Sequence, residues 1–524
     1  METYDVVVVG GGAAGLAGAL ALARARRSVL VVDAGEPRNA PAGHMHNYLG
    51  REGTPPADLL ADGRAEVTRY GGEIVDGRVE TATRDADGFL VRLDRGHSVR
   101  ARRLLATTGL VDELPDLPGL ADRWGRDVLH CPYCHGWEAR DRRIGVLATG
   151  PLALHQVHLW RQWSPHVLLL LHDTTAPDVT EAERLAARGI TVVDGQVAGL
   201  EVTGDALRGA RLASGELVEL DVLVVASRAT ARAGMLASLG LAPVDVEFGG
   251  HVVGSQVPAD ANGATAVPGV WVAGNVADVR AQVIVAAAGG LTAGAAINAD
   301  LVEEDTRHAV DAYRQQIDTM FDEAGWEQRY QAKSSIWSGR PNPQLVTEAH
   351  DLTPGRALDV GCGEGADAAW LARQGWQVDA VDISTTALER AAAHAADAGL
   401  ADRITFTHAD LREKPPAPGG YDLVSAQFMH LPGNARRELF ARLAAAVAAG
   451  GTLLIVGHHP ADLRTSAHRM HFPDMMFTAE EVAASLDPTD WRVVVAETRP
   501  RAVTDPEGRE ITIRDAVLVA RRRP

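Results

Sequence analysis

The residues best suited to redox chemistry are two cysteines, Cys131 and Cys134, which stand two residues apart in the segment HCPYCH and are followed by His135. Two thiols at this spacing can close a small disulfide, and a C-x-x-C setting often lowers the pKa of one thiol toward neutral pH. The third cysteine, Cys362, lies far along the chain, so a framework of several disulfides is excluded. The pair therefore points to thiol–disulfide exchange.

Three other interpretations of the cysteine pair remain open. C-x-x-C-H is also the attachment signature of covalent haem, but that attachment normally takes place outside the cytoplasm, and the start METYDVVVVG lacks the basic region of a secretory signal. A zinc site needs four ligands, usually from two separated pairs, and the sequence has no second pair with that spacing, so we expect no metal. The third alternative is a purely structural cysteine pair.

A glycine-rich turn near the N-terminus has the spacing of a dinucleotide-binding loop. The apolar run YDVVVV precedes Gly10, Gly12 and Gly15, and an Ala/Leu-rich helical stretch follows them. These glycines permit a tight turn, the approach of a pyrophosphate and close packing of the helix, whose N-terminus faces the anion. Asp33 ends the next strand-like run and can accept hydrogen bonds from an adenosine ribose. The pattern predicts a dinucleotide site rather than an ordinary tight turn.

A second segment, residues 268–297, indicates that this dinucleotide is FAD. It resembles the return segment of the two-dinucleotide-binding flavoproteins, in which a Gly-Asp pair hydrogen-bonds the flavin ribitol and the next helix points its N-terminus at the flavin pyrimidine. Here the pair is Gly274 and Asn275, and Gln282 and Val283 stand at the helix start. Asn275 departs from the pattern because it can hydrogen-bond a hydroxyl but carries no charge.

Residues 1–305 as a whole resemble the low-molecular-weight thioredoxin reductases in the order of their motifs. The resemblance implies that Cys134 lies against the flavin ring, that Cys131 exchanges with the substrate, and that His135 takes the place of the family's acidic proton donor. Histidine suits proton transfer because its unperturbed pKa lies near neutrality. The alternative for His135 is a helix-start residue without a role in proton transfer.

The second nucleotide motif departs from that family. Its loop begins at Ala148, where the family's G-x-G-x-x-A has glycine, and the next strand ends at Asp173 instead of an arginine cluster. Asp173 would repel the 2′-phosphate of NADPH. Either NADH binds through its ribose, or the site is vestigial and dioxygen reoxidises the flavin. The second case resembles the dithiol oxidases of natural products such as gliotoxin and holomycin, and NAD(P)H-dependent disulfide reduction is the alternative.

The C-terminal part carries a third nucleotide-type motif, LDVGCGEG, which starts a further β-α-β pattern. From Ala357 the chain resembles a class I S-adenosylmethionine methyltransferase. That resemblance implies that Asp382 takes the ribose hydroxyls and that Asp410 holds the adenine edge, and the alternative is another nicotinamide-type unit. The glycines that would pass close to the methionine part of the donor are Gly361, Gly363 and Gly365.

The segment WEQRYQAKSSIWSGRPNP, residues 326–343, precedes this motif. It resembles the N-terminal arm of the thiopurine and tellurite-type methyltransferases, which lays aromatic rings across the cofactor. Trp337 is the candidate for this contact because a sulfonium cation is attracted to an aromatic face. Its alternative is a hydrophobic anchor. The later segment SAQFMHLP differs from the motif of nucleic-acid amino methyltransferases, which favours a small-molecule acceptor, with His430 as a candidate base or site wall.

Composition limits the partners of the 524-residue chain. With 46% apolar and 23% charged residues it is a globular protein of about three domains. A net charge of -18 disfavours nucleic acid, and the sequence shows no apolar stretch of the roughly 18 to 20 residues that a membrane span needs. We expect a cytoplasmic homodimer that acts on a small dithiol or thiol. A thioredoxin-type reductase with a protein partner and a regulatory binding module are the competing hypotheses.

The predicted fold is α/β, a flavoprotein with two Rossmann-like domains followed by a class I Rossmann-like methyltransferase domain. The predicted segments are the first part of the FAD domain at 1–112, an inserted NAD(P)-like domain with the C-x-x-C at 113–245, the second part of the FAD domain at 246–305, a helical linker at 306–322, and the methyltransferase domain at 323–524.

Overall fold

Residues 1–150, 152–429, 431–464, 472–505 and 507–524 are described by the computed structural model of the chain, without the side chains of Arg95 and Arg464. Contacts divide the chain into two units, Met1–Asp305 and Thr306–Pro524. Each unit has its own buried core.

The strands of the first unit are β1 (Thr3–Val9), β2 (Val29–Asp33), β3 (Glu73–Asp76), β4 (Val79–Asp85), β5 (Gly88–Leu93), β6 (Ser98–Ala106), β7 (Leu110–Glu113), β8 (Val128–Leu129), β9 (Ile144–Leu147), β10 (Val167–Leu170), β11 (Thr191–Val193), β12 (Val197–Thr203), β13 (Ala206–Leu212), β14 (Leu217–Glu219), β15 (Val222–Val225), β16 (Arg228–Ala231), β17 (Val244–Phe248), β18 (His251–Gln256) and β19 (Val270–Val272). Its helices are α1 (Ala13–Arg24), α2 (Pro56–Arg69), α3 (Leu120–Arg123), α4 (Pro132–His135), α5 (Leu152–Trp160), α6 (Val179–Ala187), α7 (Gly234–Ala237) and the start of α8 (Val283–Met320), with 3₁₀ turns at Asp94–Gly96 and Gly274–Val276.

Two sheets position the motifs of the first unit. One has the order β3-β2-β1-β6-β5-β4, with β19 added beside β6, and the other has the order β11-β10-β9-β15-β8 and is parallel throughout. β1 and β2 are buried along most of their length, which explains why their sequences are continuous apolar runs rather than alternating ones. The glycine loop follows β1, and the cysteine pair follows β8. The remaining sheets have the orders β12-β13-β14 and β17-β18-β16-β7.

Helix α8 is the longest helix of the described chain and differs from the sequence expectation about membranes. By length and composition alone it could cross a membrane. In the first unit, however, it packs closely on α1, because a Cβ at Gly290 would lie 1.9 Å from the carbonyl oxygen of Ala14. Alanines and glycines give the segment its apolar character, and they serve here to bring two helices together. Its buried face contains Gly290, Ala293, Gly294, Ile297 and Leu301.

Ion pairs also hold α8 within the first unit. Arg102 on β6 contacts Glu304 at 2.9 Å and Asp305 at 2.6 Å, and Arg27 contacts Asp305 at 2.7 Å. Beyond Asp305 the helix continues without a break to Met320. The predicted helical linker, residues 306–322, therefore lies within α8 except for its last two residues.

The strands of the second unit are β20 (Arg356–Val360), β21 (Gln377–Asp382), β22 (Ile404–His408), β23 (Tyr421–Gln427), β24 (Val447–His458), β25 (Trp491–Thr504) and β26 (Glu510–Arg522). Its helices after α8 are α9 (Glu323–Ala332), α10 (Pro343–Ala349), α11 (Ala366–Arg373), α12 (Thr385–Asp397), α13 (Gly433–Ala446) and α14 (Ala479–Ala483), with 3₁₀ turns at Ala401–Arg403, Pro460–Arg464 and Pro473–Met475. The strand order is β22-β21-β20-β23-β24-β26-β25, and β26 is antiparallel to both of its neighbours. Because β20, β21 and β22 are adjacent and parallel, their carboxyl ends meet at one edge of the sheet.

Candidate active sites

The first unit contains a cavity of about 1550 Å³ that joins the glycine loop to the cysteine pair. This volume exceeds the roughly 300–1,000 Å³ of a pocket for a drug-sized ligand, so a dinucleotide and a small substrate can share it. The predicted site residues on its wall are Gly10, Gly12, Asp33, Cys131, Cys134, His135, Gly274, Asn275, Gln282 and Val283. The fold thus brings together three motifs that are far apart in sequence.

The glycine loop presents bare backbone to this cavity. Gly10 has a φ of +110°, and a Cβ there would lie 2.5 Å from the carbonyl oxygen of Thr107. A Cβ at Gly15 would lie 1.9 Å from the carbonyl oxygen of Gly10, so α1 can begin this close to the turn only with glycine. A Cβ at Gly12 would meet nothing within 4 Å. The loop therefore leaves room for a pyrophosphate at the N-terminus of α1, which fits FAD.

Asp33 lies at the predicted ribose position, but its carboxylate already has protein partners. Oδ1 accepts hydrogen bonds from the backbone N–H groups of Gly11 and Gly35 at 3.1 and 3.2 Å. Oδ2 accepts a hydrogen bond of 2.7 Å from Arg64, whose guanidinium also contacts Asp76. A ribose bound here would share Asp33 with Arg64, a residue of α2 that the sequence analysis did not single out.

The departure from the family's Gly-Asp pair has a local structural reason. Nδ2 of Asn275 donates hydrogen bonds to the carbonyl oxygens of Asp278 and Ala281 at 3.1 and 2.9 Å. An ionised aspartate could not make these bonds because it has no hydrogen to donate. Asn275 therefore holds the turn before α8 and leaves its Oδ1 for a ligand hydroxyl.

The cysteine pair is built around the first turn of α4. The backbone N–H of Cys134 donates to the carbonyl oxygen of Cys131 at 3.2 Å, and both residues are half-buried free thiols. A hydrogen bond from the Cys134 thiol lowers the pKa of Cys131 to about 7. The same bond, together with burial, raises the pKa of Cys134. Cys131 is therefore the thiol of the pair that ionises first.

His135 ends the short helix α4. Burial lowers its pKa, against an opposing effect of Glu138. The imidazole is therefore neutral at pH 7 and able to accept a proton. Asn47 donates a hydrogen bond of 2.6 Å to the carbonyl oxygen of Tyr133, which fixes the neighbouring loop against α4. Among the described residues no group of three or more His, Cys, Asp or Glu side chains could hold a metal ion.

Arg38 is a cavity residue that the sequence analysis missed. It pairs with Asp112 through two hydrogen bonds of 2.8 Å, and the Asp112 side chain, 6% exposed, also accepts a hydrogen bond from Ser227. Burial acts to raise the pKa of Asp112, but the bonds from Arg38 outweigh it and lower the pKa. The positive charge of Arg38 also favours the thiolate of Cys131.

Replacing Arg38 with glutamine should therefore move ionisation of Cys131 to higher pH, because one of the groups that hold its pKa near 7 is lost. The measurement is the rate of alkylation of Cys131 by iodoacetamide over roughly pH 5 to 10, with the modified site identified by mass spectrometry. Arg38→Lys keeps the charge and should give a midpoint between the two. Arg211→Gln, at an exposed position of β13, serves as the control and should match the wild type. An unchanged midpoint in Arg38→Gln contradicts the assignment.

The second nucleotide loop reaches the same cavity with Thr149 and Gly150. Beyond β10, however, both oxygens of Asp173 have partners. Oδ1 accepts a hydrogen bond of 3.0 Å from Gln196, and Nε2 of His172 lies 3.0 Å from Oδ2. Nδ1 of His172 accepts from the backbone N–H of Val197 at 3.1 Å, so Nε2 carries the ring proton on the side that faces Asp173. These contacts reduce what Asp173 can offer a ribose.

In the second unit, the glycine loop connects β20 to α11. Its three predicted glycines have left-handed backbone conformations, with φ of +66°, +53° and +81° at Gly361, Gly363 and Gly365. A Cβ at Gly363 would lie 2.9 Å from the hydroxyl of Tyr330 and 3.0 Å from the indole nitrogen of Trp337. Both aromatic side chains therefore lie directly on the loop.

Asp382 and Asp410 follow neighbouring strands at the same edge of the sheet. Oδ2 of Asp382 accepts a hydrogen bond of 2.8 Å from the N–H of Gly363, and Oδ1 accepts one of 2.9 Å from the N–H of Ser384. Asp382 thus shapes the glycine loop as well as facing the predicted ribose position. Asp410 pairs with Arg412 at 2.7 Å. Burial acts to raise the pKa of Asp410, but hydrogen bonds from Arg412 outweigh it and lower the pKa.

Buried carboxyl groups beneath the glycine loop suit a cationic donor. Burial raises the pKa of Asp359 and Asp382, and it raises the pKa of Asp367 to about 6. Oδ2 of Asp359 is buried and has no hydrogen-bond partner in the described part of the chain. S-adenosylmethionine carries a sulfonium and an ammonium group, so its positive charge compensates these acids. The residues present therefore fit this cofactor.

Glu364, inside the loop, fastens the predicted aromatic arm. It accepts hydrogen bonds from the backbone N–H groups of Ile336 and Trp337 and from the hydroxyl of Ser335, and Arg390 pairs with it at 3.0 Å. The indole N–H of Trp337 donates to the hydroxyl of Tyr330 at 2.8 Å. The structure thus brings Trp337 to the donor loop. His430 lies outside the described residues.

Two regions of the chain match known protein families. Residues 357–451 match the methyltransferase domain family. Residues 4–290, more than half of the chain, match the pyridine nucleotide-disulphide oxidoreductases. The chain belongs to the pyridine nucleotide-disulphide oxidoreductase family.

Two thioredoxin reductases and one crystal structure are similar in sequence to this oxidoreductase. Thioredoxin reductase tcpT of Claviceps purpurea (strain 20.1) is 41% identical over 152 residues, which are 28% of this chain and 47% of tcpT. Thioredoxin reductase sirT of Leptosphaeria maculans is 29% identical over 314 residues, 56% of this chain and 93% of sirT. The crystal structure of HlmI is 44% identical, covers 60% of this chain and 97% of HlmI, and has a TM-score of 0.56. The match spans about half of tcpT and nearly all of sirT and HlmI.

These findings confirm the α/β class and the two predicted parts. The protein is an enzyme with a thioredoxin reductase-like redox part and a methyltransferase part. FAD and S-adenosylmethionine are the cofactors that the two families use. The family is named for a pyridine nucleotide, so NAD(P)H stays open for this oxidoreductase.

Four residues of the two sites were not predicted from the sequence: Arg38, Arg64, Tyr330 and Glu364. For two of them the sequence of this oxidoreductase does contain an indication. Glu364 stands inside the glycine loop, and Tyr330 lies four residues after Trp326, on the same face of a predicted helix. Arg38 and Arg64 gave no such signal, because their partners lie on other segments of the chain.

Proposed function

We propose that the first unit oxidises a small dithiol to a disulfide and passes the electrons through FAD to dioxygen, while the second unit methylates a thiol. The observation that carries the oxidase is the Asp173 carboxylate, which would repel a 2′-phosphate and already has Gln196 and His172 beside its two oxygens. Dioxygen is an acceptor that needs no nucleotide site. Both proposed activities act on thiols, so small thiols would be the shared substrate class of the two units.

The oxidation starts from a disulfide between Cys131 and Cys134. A substrate thiolate attacks the sulfur of Cys131, the disulfide breaks, and its electron pair leaves on Cys134. The second substrate thiolate attacks the substrate sulfur of the mixed disulfide and releases Cys131, which its pKa of about 7 makes a good leaving group. His135, neutral at pH 7, accepts one of the two protons that the substrate loses. FAD, when bound, supplies the group that carries the electron pair from the cysteines to dioxygen, which becomes hydrogen peroxide.

The methyl transfer needs less from the protein. A thiolate attacks the methyl group of the sulfonium, the carbon–sulfur bond of the donor breaks, and S-adenosylhomocysteine leaves. Asp359 and Asp382 favour the cationic donor over this product, which has lost the sulfonium charge. Trp337 offers an aromatic face to the same cation. A strong base is not required, because a thiol ionises more readily than a hydroxyl or an amine loses a proton.

An NAD(P)H-dependent disulfide reductase is the second candidate for the first unit. Thr149 and Gly150 line the cavity, and the similar proteins tcpT and sirT are named thioredoxin reductases. Such an enzyme would take electrons from the nucleotide and reduce a disulfide, which is the opposite direction of electron flow. In this case the second unit would be a small-molecule O- or N-methyltransferase.

The reductant that bleaches the bound flavin decides between the two candidates. Under anaerobic conditions we expect dithiothreitol to reduce the flavin about 100-fold faster than NADPH at equal concentration, since each missing Arg–phosphate contact removes roughly 1.5 to 3 kcal/mol. The measurement is stopped-flow absorbance of the flavin band. Rapid bleaching by micromolar NADPH would overturn the oxidase and restore the reductase.

A further inference from the structure

Arg329, on α9 of the second unit, is a half-buried cation, and the described residues offer its guanidinium no acidic partner. Its guanidinium lies 5.0 Å from the ring centre of Phe321 and 4.7 Å from that of Trp326. Its Nη1 atom is shielded from solvent and has no hydrogen-bond partner among the residues that the structure describes. Burial lowers the pKa of Arg329, and no described acidic group counteracts this effect.

The shielded Nη1 group is costly for the folded protein. A polar group that is removed from water is normally paired, because its lost hydration is repaid only by an opposite charge or by hydrogen bonds. The chain has 69 acidic residues for 51 basic ones, so an acidic partner for Arg329 would be easy to supply. An arginine kept in this state suits an anion that arrives with a ligand, and its planar fork matches a carboxylate through two parallel hydrogen bonds.

The position of Arg329 points to the acceptor rather than the donor. The ring of Trp326 lies 6.1 Å from Tyr330 and 6.4 Å from Trp337, the two side chains that rest on Gly363. Arg329 stacks on this same tryptophan and on Phe321 beyond it. One aromatic layer therefore separates Arg329 from the donor loop.

Phe321 also contacts a part of the second unit that does not belong to the donor loop. Phe321 packs edge-on against Phe472 at 5.9 Å, and Phe472 also contacts Tyr313 at 6.2 Å. Phe472 belongs to the segment between β24 and β25, whereas the donor loop follows β20. Arg329 thus lies on the aromatic arm, and Phe321 connects it to a different part of the second unit.

We propose that Arg329 binds a carboxylate on the methyl acceptor, so that the second unit selects small thiols that carry a carboxylate. This inference rests on the proposed methyl transfer to sulfur. The rings of Phe321 and Trp326 lie against the guanidinium, and its half-exposed side chain leaves nitrogen donors for the ligand. The carboxylate then sets the distance between the acceptor sulfur and the donor methyl group, as an anchored substrate requires.

The first test compares 3-mercaptopropionate with its methyl ester as acceptors. The wild type should show a KM for the acid about 10- to 100-fold below that for the ester, the range of one charge-assisted hydrogen bond. Arg329→Gln should remove this preference by raising the KM for the acid alone, and Arg329→Lys should restore part of it. Arg340→Gln, at an exposed position of the same arm, should behave as the wild type. Equal KM values for acid and ester in the wild type overturn the proposal.

A binding measurement keeps the test independent of activity. Protein saturated with S-adenosylhomocysteine is titrated calorimetrically with each thiol, and the acid should bind more weakly to Arg329→Gln than to the wild type. Equal binding overturns the assignment of Arg329, whereas binding without methyl transfer refutes only the proposed transfer to sulfur. If Arg329→Gln instead weakens S-adenosylmethionine by tenfold or more and leaves the acid preference intact, Arg329 holds the donor's carboxylate and the proposal is wrong.

A measurement of stability distinguishes a purely structural role of Arg329 from the proposed role in binding the acceptor. Arg329→Met replaces a half-buried cation without an acidic partner by an apolar side chain of similar length, so the thermal unfolding midpoint should not fall. A marked fall would mean that Arg329 is retained for packing, and it would count against the proposal.

Discussion

Replacing Cys134 with serine should abolish reduction of the flavin by dithiols, with a loss of at least about 10³-fold in rate. Serine can still donate a hydrogen bond to Cys131, so the local structure should persist, but its oxygen cannot form a disulfide or carry the electron pair. The measurement is anaerobic bleaching of the flavin by dithiothreitol. The absorbance of the resting protein should stay that of bound FAD.

The third cysteine provides the matched control for this experiment. Cys362 is buried in the glycine loop of the second unit and does not line the cavity of the first, so in Cys362→Ala the flavin should be reduced at the rate of the wild type. Cys131→Ser should also fail to turn over, because the proposed exchange with substrate requires that sulfur. If the flavin of Cys134→Ser still bleaches at the rate of the wild type, the cysteine pair is not the redox centre.

Replacing Asp382 with alanine should weaken S-adenosylmethionine binding by about 10²-fold or more. The carboxylate accepts hydrogen bonds from the N–H groups of Gly363 and Ser384, and each buried donor left without its partner costs roughly 1–3 kcal/mol. The predicted contact with the ribose hydroxyls is lost as well. Calorimetric titration with S-adenosylmethionine measures the change directly.

Asp379 is the control on the same strand. Its carboxylate contacts Arg356 at 2.7 Å and Tyr421 at 2.9 Å, outside the glycine loop, so Asp379→Asn should leave donor affinity close to that of the wild type. Flavin reduction by dithiothreitol should be unchanged in both variants, because the two cofactor sites share no residue. Unaltered donor affinity in Asp382→Ala would refute the predicted cradle.

The sequence was sufficient for the features that depend on local pattern. Glycines at fixed spacing after an apolar run predicted both nucleotide loops, and the positive φ angles at Gly10 and Gly363 show the turns that such glycines permit. The α/β class and the order of the two enzyme parts followed from the same patterns. Each of these properties depends on a short segment of sequence, so it can be predicted without knowing which segments contact each other in the fold.

Partners from distant segments could not be predicted in this way. Asp33 appears in the sequence as a free ribose acceptor, but Arg64 from α2 occupies one of its oxygens. Asp173 likewise gains Gln196 as a partner, 23 residues further on. Periodicity determines which face of an element is buried, whereas the pairing of individual charged groups depends on how elements pack. Asn275 is the intermediate case, since its departure from the flavoprotein pattern was visible but its reason, two nearby carbonyl oxygens, was not.

Helix α8 determines where the chain can be divided for separate expression. A first unit that ends at Asp305 would retain the acidic residues that pair with Arg27 and Arg102, but it would cut a continuous helix and leave its last carbonyl groups without intrahelical partners. Ending the chain one helical turn earlier would remove Glu304 and Asp305, and Arg27 and Arg102 would lose these acidic partners. A first unit that extends to Met320 avoids both defects, but it removes from the second unit the residues 306–320, which include Tyr313 beside Phe472, so the two units are best expressed on one chain.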